Sequence, residues 1–567
     1  MTPQPPSIEL ARTLVRELVA AGVRHAVLCP GSRSAPLAYA LAEAHHAGWL
    51  HLTVRLDERG AGFVALGLTR SGAGMRPVAV VTTSGTAVAN LHPAVLEASH
   101  SGDSIVVVSA DRPHEWRGTG ANQTTDQVGI FAGAPRFAAD VPAGYRREAV
   151  RGLVTRALAA ATGAFTGDPG PVHLNVGLAE PLVPERKPAS GHLELEKLRM
   201  ADWLAGPPPP AVELRGGLAE AASIPAGRRT LLVAGDRAGA HWFALAEAAG
   251  WPVLAEPSSG ARLPGAIRHY RDLLAAGLGD EAERVVVVGH PTLSRPISRL
   301  LARTDTEVVV VSRSRWTDVA GVAAQVCADL VAPAAEPSDL SWWDRWQQAD
   351  TDLAAALDDA ATSVAERVAH AVWEAEVPTL VLGSSNAVRA VDGVAPGRSD
   401  GALVVANRGL AGIDGTIATA TGLALGTGSP VRALVGDLTF LHDSASLLRG
   451  VHEAEVDLQV VVMNDSGGAI FETLEPGTLS QQDALARATF ERLFATPQQA
   501  DLGALAAGFD ASHVLVDARK PGGLDGLREV LARPISGRSV VEVRIGRDDL
   551  AGAAEARRVA AGRIVHS

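Results

Sequence analysis

Cysteine is almost absent from this chain of 567 residues. Cys29 and Cys327 stand about 300 residues apart, which excludes a disulfide framework and a cysteine-rich zinc site. Basic charge is also short. Lys and Arg number 51 against 63 Asp and Glu, for a net charge of −12. That balance argues against non-specific nucleic-acid binding, and an anionic substrate must be met by locally placed arginines. No apolar run approaches a membrane span, and the opening MTPQPPSIEL has no basic region followed by an apolar core. The expectation is a soluble, cytoplasmic protein. What is present is globular composition, 47% hydrophobic and 20% charged, with length for about three or four domains.

Residues 7–22 read as an amphipathic helix, with Ile8, Leu10, Leu14, Val15 and Leu18 near helical spacing. Strands and helices then alternate through HAVLC, LTVRL, PVAVV, SIVVVSA and PVHLNV. Such a βαβ array implies a parallel sheet covered by helices on both faces. PLVPERKPASG (181–191) and GPPPPAVE (206–213) look like proline-stiffened linkers. A second, shorter array runs through TLLVAG, RVVVVG and EVVVVS. Residues 341–375, starting SWWDRW, look like helix leading into a third array: TLVLGSS, ALVVANRG, VRALVGD, DLQVVVMND and SVVEVRI. The fold expected is α/β, with three doubly wound parallel-sheet domains at 1–185, 192–340 and 341–567. The first and third share a rhythm.

The chain is organised around Gly436 to Phe471. VRALV feeds Gly436-Asp437, and DLQVVVM feeds Asn464-Asp465-Ser466-Gly467-Gly468, so both acidic turns fall at the carboxyl ends of adjacent strands. Asp437 and Asp465 together suit one hard divalent cation, because Mg²⁺ takes one or two carboxylates and is completed by phosphate and water. Taken singly, each turn also fits an ordinary capped βα connection. In the first array, Pro30-Gly31-Ser32-Arg33 offers anion donors at a strand-to-helix turn. Glu58 opens a helix in DERG, where a carboxylate also suits the helix dipole. TSGTAVANLHPAV is a Ser/Gly turn into a helix, and DRPHEWRGTGANQTTDQ is a long polar connection of the kind that carries function.

These motifs resemble the thiamin-diphosphate-dependent enzyme superfamily. They are PGSRSAPL, DERGAGFVALGL, TSGTAVANLHPAV, DRP with GANQT, NRGLAGIDG, GDLTFLHD and NDSGGAIF. The cofactor motif of that superfamily is GDG followed about two dozen residues later by NN; here Leu438 stands for the second Gly and Asp465 for the second Asn. Within the superfamily the chain is most similar to the carboligases of menaquinone biosynthesis, and the match covers most of its length.

The resemblance implies thiamin diphosphate with Mg²⁺ or Mn²⁺, and a homodimer or homotetramer with active sites at the subunit interface. It implies decarboxylation of 2-oxoglutarate and addition of the succinyl carbanion to isochorismate. Glu58 would exchange a proton with the aminopyrimidine, and Ile413 would hold the cofactor bent. Asp437, Asp465 and the Gly467 carbonyl would ligate the metal. Ser84, Gly85, Thr86, Gly436, Leu438, Asn464, Gly468, Ile470 and Phe471 would complete the cofactor site. Ser385, Arg389 and Arg408 would hold the succinyl end, and Ser32, Arg33, Arg112, Asn122, Gln123 and Arg295 isochorismate. The rivals are another thiamin-diphosphate-dependent 2-oxoacid decarboxylase or carboligase, which would need fewer turn arginines, and a non-catalytic Rossmann-type nucleotide-binding protein. The middle array contains no GxGxxG of the flavin-binding kind.

Overall fold

The computed structural model describes residues 6–72, 76–184, 221–312, 317–357 and 361–566. The expected linkers therefore lie, from residue 185 on, outside the described residues. The chain separates into two compact units. The first takes the amino-terminal residues through Pro184, with Ala418–Gly428 and Leu448–Glu455; the second takes the remaining described residues.

The first unit is built on β1 (His25–Leu28), β2 (His51–Val54), β3 (Val78–Thr82), β4 (Ile105–Asp111), β5 (Phe137–Val141) and β6 (Val172–Gly177). All pairings are parallel, in the order β2-β1-β3-β4-β6-β5. Every residue of β3 and β4 is buried, as a strand covered on both faces must be. Successive side chains serve opposite layers. Ala26 and Leu28 pack with the helices Pro6–Ala20 and Ala35–His46, whereas Val27 and Cys29 pack with Glu58–Thr69 and His92–Ser101. Strand order reverses between β1 and β3, and their carboxyl-end turns converge there. A Cβ on Gly31 would sit 2.2 Å from the Cβ of Thr83, so only glycine fits.

The second unit holds β7 (Ala222–Ser223), β8 (Thr230–Ala234), β9 (Val253–Ala255), β10 (Arg284–Val288), β11 (Glu307–Val311), β12 (Gln325–Cys327) and β13 (Leu330–Val331). It continues with β14 (Thr379–Leu382), β15 (Leu403–Ala406), β16 (Val431–Gly436), β17 (Leu458–Asn464), β18 (Ser512–Asp517) and β19 (Arg538–Arg544). One sheet runs β12-β11-β10-β8-β9, and another runs β15-β14-β16-β17-β19-β18; β7 and β13 form a small pair. The six-stranded sheet is visited in the same sequence as that of the first unit, which is the shared rhythm seen in the sequence. The SWWDRW stretch lies in the helix Pro337–Ala356, whose Trp342 and Trp346 pack on β8 and β10. A buried indole removes on the order of 150–250 Å² from water, worth at most about 4–6 kcal/mol each.

The expected strands are all present, but β5, β7, β9, β12, β13 and β18 were not anticipated. Each is an edge strand. An edge has one hydrogen-bonding side and less cover, so β5 and β12 alternate in exposure without an apolar run, β18 has only the three apolar residues Val514 to Val516, and β7, β9 and β13 are two or three residues long.

Candidate active site

In the first unit Glu58 opens its helix because Asp57 caps it, accepting the Arg59 and Gly60 N–H groups at 3.2 and 3.1 Å. The Asn90 amide donates to Glu58 Oε2 at 3.2 Å from the break between the helices Thr86–Ala89 and His92–Ser101. Gly85, at φ +81°, precedes Thr86 and donates its N–H to Gln127 Oε1 at 2.8 Å. Gln127 is buried, and its Nε2 donates to Asn175 Oδ1 at 2.8 Å. Asn175 in turn donates to Asp111 and Asp140, each at 2.9 Å. Ser109 meets His173 Nε2 at 2.7 Å, and burial pushes the imidazole pKa down to about 4. This network fixes the turn after β3 from behind. Ser84 Oγ donates to the Gln123 carbonyl, and Gln123 Nε2 donates back to the Ser84 carbonyl, both at 2.9 Å.

Two arginines occupy the same end of the first sheet. Arg33 is buried and donates to the Leu178 carbonyl at 2.8 Å. Burial lowers its pKa and the nearby Arg112 charge lowers it further. Arg112 donates to the Asn122 carbonyl at 2.9 Å. The Nε of each is buried without a hydrogen-bond partner, while Ser32 and Asn122 are exposed.

The second unit repeats this arrangement. Ser385 adopts φ +73° after β14, and its carbonyl accepts from Arg389 at 2.6 Å. Burial lowers the Arg389 pKa, with Arg408 and Arg271 adding to it. Arg408 is 3% exposed; its Nη2 donates to Thr292, but Nε and Nη1 are buried without partners. Like charges held together with idle donors form a receptacle for carboxylates. Arg295 is placed differently: it is exposed and ion-paired to Glu475 at 3.0 Å.

Asp437 follows β16 and is 3% exposed; Asp465 follows the adjacent β17. Burial pushes Asp437 up to about 6, and Asp465 up to about 8 with the Asp437 charge contributing. Asp465 Oδ1 is buried and accepts no hydrogen bond. Two such carboxylates, one with an orphan oxygen, fit a divalent cation, which would let both ionise. A Cβ on Gly467 would lie 2.4 Å from the Ala495 carbonyl, so this turn requires glycine, and Gly468 N–H bonds that same carbonyl at 2.7 Å. Around Gly436 a Cβ would meet nothing within 4 Å, leaving room beside the carboxylates. Leu438 N–H donates to Asp437 Oδ1, and Asn464 Nδ2 to Glu542. Ile413 is half-buried between β15 and the helix Thr416–Thr427; Ile470 and Phe471 are also half-buried, Phe471 packing on Phe494.

Sequence reasoning assigned no role to Asn90 or Gln127. Asn90 lay within a quoted motif, where a carboxamide facing a helix-opening glutamate was the available signal. Gln127 ends the polar connection and carries none.

The amino-terminal region matches the family described as thiamine pyrophosphate enzyme, N-terminal TPP binding domain, over residues 8–130. The fold resembles benzoylformate decarboxylase from Polynucleobacter necessarius, with a TM-score of 0.63, 18% identity, and coverage of 96% of this chain and 99% of that one. At full length the chain is 49% identical to 2-succinyl-5-enolpyruvyl-6-hydroxy-3-cyclohexene-1-carboxylate synthase of Kineococcus radiotolerans, covering 96% of both proteins. The chain belongs to this synthase family. The same name is carried by a 46% identical protein of an Arthrobacter species, covering 96% of this chain and 90% of that one. Membership makes the chain a thiamin-diphosphate-dependent transferase, and the Rossmann-type binding protein is set aside. No helix among the described residues is long and apolar enough to cross a membrane.

Proposed function

We propose that the chain decarboxylates 2-oxoglutarate and transfers the succinyl unit to isochorismate in menaquinone biosynthesis. The observation that carries this choice of substrates is two close guanidinium pairs, buried Arg33 with half-buried Arg112 and half-buried Arg389 with buried Arg408. Both proposed substrates are dianions, and unpaired N–H groups on buried arginines favour bidentate carboxylate recognition. A monocarboxylate enzyme of the same fold would leave such charges uncompensated.

Thiamin diphosphate, when bound, supplies an electron sink for the decarboxylated oxoacid. Glu58, held by Asn90, would hold a proton on its carboxylate for exchange with the cofactor's aminopyrimidine. Asp437, Asp465 and the Gly467 carbonyl hold Mg²⁺ or Mn²⁺. Ser84, Gly85, Thr86, Ile413, Gly436, Leu438, Asn464, Gly468, Ile470 and Phe471 shape the cofactor site. Ser385, Arg389 and Arg408 orient the succinyl carboxylate. Ser32, Arg33, Arg112, Asn122, Gln123 and Arg295 orient isochorismate, with Arg295 first leaving Glu475. The domain division 1–185, 192–340 and 341–567 assigns the pyrimidine end to the first domain and the diphosphate end to the third. The working form is a cytoplasmic homodimer or homotetramer, each site drawing on two copies.

Donor preference tests this reading. It expects 2-oxoglutarate to be used far better than pyruvate with isochorismate as acceptor; preference for pyruvate would remove the succinyl-transfer assignment.

A further inference from the structure

Glu256 follows directly on β9, belongs to no motif, and is 2% exposed. Its Oε1 accepts the backbone N–H of Thr292 at 3.0 Å and of Leu293 at 2.8 Å. Those two residues lie in the connection from β10 to the helix Arg295–Leu301. On its other side the same connection holds Arg408: Thr292 accepts from Nη2 through its carbonyl at 3.2 Å and its hydroxyl at 2.8 Å. The remaining Arg408 donors, Nε and Nη1, are buried and unpartnered. Glu256, Thr292 and Arg408 thus form a chain of contacts ending on a guanidinium with idle N–H groups. We propose that Glu256 is a positioning residue for the oxoacid carboxylate subsite, fixing Arg408 through the Thr292–Leu293 backbone. This rests on the reading of Arg408 as a substrate carboxylate partner.

A long, flexible Arg side chain loses rotamer freedom when it is held ready, and a donor array fixed before binding spares the ligand that cost. Thr292 is itself exposed, so its backbone N–H is tied down by Glu256, while the buried Leu293 side chain and the His290–Asp236 bridge anchor the rest of the connection. Burial pushes the Glu256 carboxyl up to about 8, the Leu293 N–H opposing and Asp392 adding, so the group is neutral at pH 7. A neutral acceptor is what Gln reproduces in shape and charge, and this makes the role testable.

The test uses the full-length enzyme loaded with thiamin diphosphate and Mg²⁺, in the variants Glu256→Ala, Glu256→Gln, Thr292→Val and Arg408→Ala. Kinetics give KM and kcat for 2-oxoglutarate, and calorimetry gives the cofactor Kd. Glu256→Ala is expected to raise KM for 2-oxoglutarate roughly tenfold, with kcat and cofactor Kd changing by less than about threefold. Glu256→Gln should recover most of that loss. Thr292→Val removes only the hydroxyl acceptor at an exposed position, and should raise the same KM roughly threefold; it carries the test if Glu256→Ala does not fold. An unchanged KM in Glu256→Ala or Thr292→Val, beside a raised KM in Arg408→Ala, overturns the positioning role. So does equal damage from Gln and Ala, or a cofactor Kd that worsens in step with KM. An Arg408→Ala enzyme with unaltered KM overturns instead the reading on which the proposal rests.

Discussion

The Asn90 side-chain amide donates to Glu58 Oε2 at 3.2 Å, so the glutamate that opens its helix is held by a residue 32 positions further along the chain. The contact restrains the carboxylate at the base of the site. Glu58→Gln keeps the shape and cannot cycle a proton. Turnover should fall by about 10²–10⁴-fold while calorimetry shows cofactor affinity nearly unchanged. A variant retaining more than half the wild-type rate at saturating cofactor would remove Glu58 from the role.

Asp437→Ala should fail at an earlier step. It removes one of the two carboxylates that follow adjacent strands, which would weaken a bound divalent cation and with it the hold on the cofactor. Cofactor affinity in the presence of Mg²⁺ should drop by roughly ten- to hundredfold or more, with the circular dichroism of the fold retained. Equal affinity in both proteins would mean that the acidic turn is only a capped helix start.

Arg389→Ala and Arg408→Ala should separate dicarboxylate from monocarboxylate donors. A charge-assisted hydrogen bond is worth about 1.5–3 kcal/mol, so kcat/KM for 2-oxoglutarate should fall roughly ten- to hundredfold. Pyruvate, with a methyl group in place of the second carboxylate, should lose little. Equal proportional losses would show that the arginines serve the fold or the cofactor.

His173 predicts a pH dependence of the first unit. Its imidazole is buried beside Ser109 and Phe131, with a pKa near 4 against 6.5 in the unfolded chain. Between those values the unfolded chain binds the proton and the folded chain does not. Stability therefore falls as pH drops from about 6.5 to about 4, by about 1.4 kcal/mol per pH unit from this group. Thermal midpoints measured between pH 7 and 5 should decline less steeply in His173→Gln than in wild type. Parallel slopes would contradict the assignment.

Central strands were legible in the sequence, whereas of the edge strands only β2 and β15 were. The buried strands announced themselves as valine runs, since β3, β4, β10, β16 and β17 are covered on both faces and have few polar positions to break the pattern. In the edge strands β5 and β12 exposed positions alternate with covered ones, which erases the run, and in β18 the apolar stretch shrinks to Val514 to Val516. The site was legible in the same uneven way. In the first unit Glu58, Arg33 and Arg112, and in the second Asp437, Asp465 and Arg408, follow strand ends, where chain position alone places them at one edge of their own sheet. Asn90, Gln127 and Glu256 act through contacts with residues 32, 42 and 36 positions away, and no local spacing encodes such pairings. Arg295 stood in a suitable turn, yet the structure pairs it with Glu475, because an exposed cation takes a nearby carboxylate.

The most direct measurement is to incubate the enzyme with thiamin diphosphate, Mg²⁺ and 2-oxoglutarate, with and without isochorismate, following CO₂ release and the carboligation product together. The account predicts sustained CO₂ release only when isochorismate is present, matched mole for mole by a succinylated cyclohexene carboxylate. Rapid CO₂ release without isochorismate and with no adduct would make the chain a simple decarboxylase and contradict it.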